Sequence, residues 1–186
     1  MNAPSQFTMG LTIGDKHIAD LLNPHPHEID LLGIDANLRR VRRFSGNPDA
    51  LTVKAHQCLA RLIAEKDGAP VPVVEWSEHH DDHEGIIGDI PGPLKTIIAW
   101  HTPIVGEIEE ALDQAICAAR GHLYPTLETR MKTSYYDKAA ETVEWVHVLG
   151  RDPAPWNKPT PAWLTWEMAE ALIDAALWRA DHTILH

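Results

Sequence analysis

His80 and Asp81 are adjacent, inside the run Glu78-His79-His80-Asp81-Asp82-His83-Glu84-Gly85-Ile86-Ile87-Gly88-Asp89-Ile90-Pro91. An imidazole beside a carboxylate, with more acids downstream, offers nitrogen and oxygen ligands that suit a borderline divalent metal such as Zn, Mn, Co or Fe. A metal held this way makes a nucleophilic hydroxide at neutral pH, so hydrolysis is the chemistry to expect. The plainer reading is an acidic, histidine-rich helix end. With 12 His in the chain, neighbouring histidines also arise by chance.

Two further residues extend the constellation. His56 lies upstream in Leu51-Thr52-Val53-Lys54-Ala55-His56-Gln57-Cys58, a segment with helical spacing of apolar residues. Asp137 lies downstream in Tyr135-Tyr136-Asp137-Lys138-Ala139-Ala140, also helical in pattern. Taken singly, each reads as an ordinary helix residue. Taken with His80 and Asp81, they can bring an ion between three helices, a known way of building a metal site in a bundle.

The elements that would position these groups are mostly helical. A short β-hairpin is expected over residues 7–22, turning at Gly14-Asp15. Helices are expected over 29–43, 51–65 and 71–84, the last with Pro72 in its first turn and carrying the His-Asp pair. In that helix His80 and Glu84, four residues apart, would share a face, with Asp81 about a hundred degrees away. Residues 88–93 read as a turn, from their Gly and Pro. Further helices are expected over 104–120, 127–148 and 163–180, with a Pro-rich loop over 151–161. The fold class is therefore all-α, a helical bundle with a small N-terminal hairpin.

The order His56, His80-Asp81, Asp137 resembles the H…HD…D signature of HD-domain metal-dependent phosphohydrolases. Glu84 to Lys95, with Gly88-Asp89-Ile90-Pro91 and Pro93-Leu94-Lys95, is similar to a stretch of the bacterial deoxynucleoside 5′-monophosphatase branch. Phage and prophage relatives share that stretch, including the dATP triphosphohydrolases of phages that replace adenine in their DNA. Asp20-Leu21-Leu22-Asn23-Pro24-His25-Pro26 and Arg42-Arg43-Phe44-Ser45-Gly46 resemble the opening of the phage-type members. The match covers roughly residues 10–150. One departure is Asp82-His83, where the usual motif has small residues.

The resemblance implies an HD-type bundle, with His56, His80, Asp81 and Asp137 holding one divalent ion (Co, Mn, Zn or Mg). It implies that Glu84 orients or deprotonates a water and that Asp89 protonates the leaving 5′-oxygen. Arg43 would bind phosphate, Phe44 would pack on base or sugar, and Lys95 would be a second phosphate contact. The implied substrate is a deoxynucleotide, either a monophosphate or dATP, cleaved between the 5′-oxygen and the α-phosphorus. A catalytically degenerate nucleotide-binding protein is the alternative; its mark would be loss of Glu84 or Asp89, and both are present. Asp89 as a simple cap of the Pro91 turn is the competing structural role. Arg39, Arg40 and Arg42 read as a solvated basic face, and His79 and His83 as exposed flanking residues.

Composition sets outer bounds. A chain of 186 residues is long enough for one domain, 1–186, with a buried core. Its net charge of -11 argues against binding a nucleic-acid polymer, which relies on positive charge to displace counterions. Cys58 and Cys117 read as core thiols rather than a disulfide scaffold. No signal peptide and no apolar run of bilayer length is evident, so the expectation is a cytoplasmic protein without a membrane partner. Of 7 Trp, Trp156, Trp163, Trp166 and Trp178 cluster near the C-terminus and read as core or subunit-contact residues. A homo-oligomer is expected.

Overall fold

The computed structural model describes residues 10–152 and 159–182. Trp156, most of the Pro-rich loop and the first residues of the expected hairpin segment lie outside the described residues. Strands β1 (Leu11–Ile13) and β2 (Lys16–Ile18) form the antiparallel hairpin, with Leu11 opposite Ile18 and Ile13 opposite Lys16. A single 3-10 turn, Pro26–Glu28, leads to α1 (Leu31–Leu38). Asp30 caps α1 by accepting from the Leu32 and Gly33 amides. The one-turn α2 (Arg43–Gly46) follows, then α3 (Val53–Lys66), capped by the Thr52 hydroxyl. The chain continues through α4 (Val71–Ser77), α5 (Glu84–Ile87), α6 (Gly92–His101) and α7 (Ile104–Ala119). It closes with α8 (Leu127–Val143), a π turn over Glu144–Val148, and α9 (Trp166–His182). Among the described residues the protein is mostly helical with one two-stranded sheet. No helix of the described residues is long and apolar enough to cross a membrane.

Helix α3 is the spine. It packs against α4, α8 and α9, and Leu59, Ile63, Ala139, Ala140, Val143 and Ala176 meet in one apolar cluster. A second cluster joins the hairpin, α1, α5 and α7 through Ile18, Ile34, Leu38, Ile86, Leu112 and Ile116. Because the first two turns of α3 are covered nearly all round, the polar residues Lys54, His56 and Gln57 are buried too and need partners. Lys54, only 2% exposed, lies 3.4 Å from Asp35 and 4.0 Å from Glu78.

Four expectations are corrected. The helix expected over 29–43 ends at Leu38; Arg42 instead bridges to Thr52, and Phe44 and Ser45 turn the chain with φ of 52° and 60°. The helix expected over 71–84 ends at Ser77, so His80 and Asp81 lie in a series of turns and His80 and Glu84 share no helix face. Its polar side chains explain the break. Asp82 accepts from Gln57 and Arg120, and these long-range bonds outweigh helix propensity; it also pairs locally with His79. Helix α6, starting with Pro93 in its first turn, occupies residues assigned partly to a turn. Finally, His83 is not an exposed flank: it is 5% exposed and bonded to Asp113.

Candidate metal centre

Three elements converge on one point. His56 comes from the first turn of α3, Asp137 from α8, and His80 and Asp81 from the turns between α4 and α5. One ligand atom from each of the four lies within 4.8 Å of the others. His56 Nε2 is 3.0 Å from Asp137 Oδ1, and His80 Nε2 is 3.5 Å from the same oxygen and 3.2 Å from Asp81 Oδ2. His80 Nδ1 donates to the Ser77 carbonyl at 2.9 Å, which turns Nε2 toward the carboxylates. Such a backbone contact is how proteins fix the tautomer of a metal-ligating histidine. His80 Nε2 is buried without a hydrogen-bond partner. Two imidazoles and two carboxylates, with His80 Nε2 and His56 Nδ1 both lacking a hydrogen-bond partner, fit a divalent cation.

Without an ion, protons and charges compensate one another. Burial opposes a charge on His80, but Asp81 and Asp137 overcome it and raise its pKa well above 6.5. Burial and Arg43 also oppose a charge on His56, and Asp137 and Glu144 still raise it. Burial works against the Asp137 carboxylate as well, yet His56 and His80 hold it well below the usual range. Each imidazole thus stands in for part of the positive charge an ion would supply.

Sequence reasoning missed Glu144. This carboxylate is fully buried, accepts the Leu51 amide at 2.8 Å, and lies 3.2 Å from Arg43 Nε and 3.5 Å from His56 Nδ1. It therefore sits behind both a proposed metal ligand and the proposed phosphate-binding arginine. The only local signal is an acid just after α8, where the ladder widens into the π turn.

Arg43 is brought to the centre, its Nη1 3.4 Å from Asp81 Oδ2. The left-handed conformation of Phe44 and Ser45 turns the chain there and costs on the order of 1–3 kcal/mol per residue. The bonds of Arg43 N–H to Leu51 O and of Arg42 to Ala50 O hold that turn in place. Phe44 packs its ring on Trp145, centroids 5.5 Å apart. Arg39 pairs with Asp35, while Arg40 and Arg42 are exposed, as a basic surface requires.

Glu84 opens α5 and is 3% exposed; burial first, and then the Asp81 charge, push its pKa up to about 8. Asp89 is half-buried after the Gly88 turn, and burial raises its pKa as well. Lys95 reaches back from α6 to within 3.6 Å of Glu84 and 2.8 Å of Glu109. Every residue singled out for chemistry, except Phe44 with its Trp145 contact, is thus linked by a short contact or a charge interaction to the four-ligand cluster. A separate cavity of about 530 Å³, lined by Trp76, Ile116, Tyr124, Asp82 and Arg120 among others, contains none of them.

The sequence matches no family model and no curated protein significantly. The centre is therefore read from its own geometry.

Proposed function

We propose that this protein is an HD-domain, metal-dependent phosphohydrolase that cleaves deoxynucleotides between the 5′-oxygen and the α-phosphorus, releasing the deoxynucleoside. The observation that carries this reading is the convergence of His56, His80, Asp81 and Asp137 within 4.8 Å, with Arg43 in contact with Asp81. A divalent ion at these ligands (Co, Mn, Zn or Mg) supplies Lewis acidity and lowers the pKa of water.

The remaining chemistry belongs to the chain. Arg43, held by Glu144 and Asp81, keeps its charge and presents forked donors to phosphate oxygens. Glu84 accepts the proton of the attacking water. Its pKa of about 8 arises from burial and from repulsion by the Asp81 carboxylate; a cation held by Asp81 would offset that repulsion and return Glu84 toward its ionised form. Asp89 keeps its proton to higher pH than an ordinary carboxyl, the state needed to donate to the leaving 5′-oxygen. Lys95 stands beside Glu84, where it can meet a phosphate tail. Cleavage of this bond releases orthophosphate from a monophosphate and triphosphate from dATP, so one centre serves either substrate.

The test is direct. Metal-stripped protein is reloaded with Co²⁺ or Mn²⁺, incubated with a panel of dNMPs and dNTPs, and the products are separated. Release of a deoxynucleoside is expected, with the phosphate product naming the substrate. Nucleotide binding without release from any substrate would point instead to a degenerate nucleotide-binding protein.

A further inference from the structure

Next to the four-ligand cluster lies a second group of side chains that the proposed reaction only partly uses. One ligand atom each from Asp81, His83 and Glu84 lies within 4.8 Å of the others. The His83 and Glu84 side chains are 7% and 4% exposed. Both carry an unsatisfied buried atom: His83 Nε2 and Glu84 Oε2 have no hydrogen-bond partner. The other nitrogen of His83, Nδ1, is 2.9 Å from Asp113 Oδ1. A carboxylate behind one imidazole nitrogen is the usual way of orienting the other toward a metal and raising its basicity.

Charge points the same way. Asp81, Glu84, Glu109 and Asp113 surround His83, with Glu109 Oε1 3.7 Å from its Nε2. Glu109 Oε1 is itself paired with Lys95 Nζ at 2.8 Å. Facing these four carboxylates are two basic side chains, Lys95 and Arg43. One nitrogen and two or three carboxylate oxygens are a ligand set for Mn²⁺, Zn²⁺ or a similar cation.

We propose that a second divalent cation binds here, held by Asp81, His83 and Glu84, with Asp81 shared between the two ions. His83 occupies a position where the resembled motif has a small residue, so the site belongs to this chain's own sequence. The inference adds to the phosphohydrolase reading, with which it shares Asp81, and does not depend on the substrate. Two ions sharing a carboxylate stand roughly 3.5–4 Å apart, a spacing used to clamp the attacking and leaving oxygens of a phosphoryl group.

Equilibrium dialysis of the full chain against Mn²⁺, with electron paramagnetic resonance of the loaded protein, tests this. The wild type is expected to bind two ions per chain with a spin-coupled signal, which a stray ion on a surface histidine would not give. His83→Gln and His56→Ala should each lower the count to one and abolish the coupling, in protein whose circular dichroism shows it folded. Glu84→Ala gives the same readout if His83→Gln does not fold. One uncoupled ion in the wild type that survives His83→Gln overturns the second site and leaves the first. One ion that vanishes in His83→Gln but survives His56→Ala supports this site and removes the four-ligand centre.

Discussion

A buried charge has to be answered by another, and at the residue scale Glu144 makes the point. Its carboxylate sits between His56 and Arg43 with no exposure at all. Replacing it with alanine leaves Arg43 buried without its closest carboxylate, which costs about 3–5 kcal/mol for a pair of this kind. Glu144→Gln is the more informative change, because the side-chain oxygen can still accept the Leu51 amide. It is expected to fold and to bind metal roughly 10–100-fold more weakly, as loss of a contact behind a metal ligand does. Unchanged metal affinity by calorimetry would show that Glu144 serves the fold alone. A contrasting outcome is expected at Glu84, which touches neither His56 nor His80. Glu84→Ala should keep the four-ligand ion and nucleotide binding yet lose roughly a hundredfold to ten-thousandfold in turnover, the usual contribution of a positioned base. Near-normal turnover would remove Glu84 from the mechanism.

At the scale of elements, α5 is the piece that sets Glu84, and it is seated by close contact rather than by length. Gly85 lies directly against α1: a Cβ there would come within 2.8 Å of Ile34 Cγ2 and 2.9 Å of the Ile34 carbonyl. Asn37 donates to the Gly85 carbonyl at 2.9 Å, tying the same two helices. Gly85→Ala therefore has to push α5 off α1, at about 1–3 kcal/mol for overpacking of this kind. The expected outcome is a lower melting temperature together with a loss of turnover, because Glu84 moves with its neighbour. A melting temperature equal to wild type would contradict this packing. What could be read beforehand follows the same division between local and distant causes. The hairpin, α3 and α8 were legible, since turn residues and helical periodicity are local signals, and with α3 and α8 came His56 and Asp137. The break after Ser77 was not, because it depends on Asp82 reaching Gln57 on α3 and Arg120 beyond α7. Lys54, His83 and Glu144 were missed for that reason too: a charged residue on a helix looks solvated until the helices that cover it are known.

For the molecule as a whole, the acidic and basic groups of the centre act together as a proton reservoir. His56, His80 and His83 have raised pKa values, the last at about 9 despite the opposing effect of burial, because Asp113 and then Asp81 and Glu84 favour its charge. Burial also raises three carboxyls: Glu84 to about 8, Asp113 to about 6, and Asp89 by direction. A raised imidazole contributes stability that is complete below its unfolded value of 6.5 and is lost as pH rises through its folded value. A raised carboxyl has the same sign, since ionising it costs more in the folded chain than in the unfolded one. Over this range the folded state therefore binds more protons than the unfolded state, and stability must fall as pH rises. The oppositely shifted Asp81 and Asp137, with lowered pKa values, contribute stability above 3.8 that is lost only as pH falls below it. Metal-free protein is thus expected to melt at a lower temperature at about pH 8.5 than at about pH 6. Cations compete with the protons on His56 and His80, so their affinity should move the other way. Added Mn²⁺ or Co²⁺ should raise the melting temperature little at the lower pH and markedly at the higher one. Calorimetry in buffers of different ionisation enthalpy should also record protons released on binding. A metal-induced shift that is the same at both pH values, with no proton release, would mean that the ion binds away from these histidines.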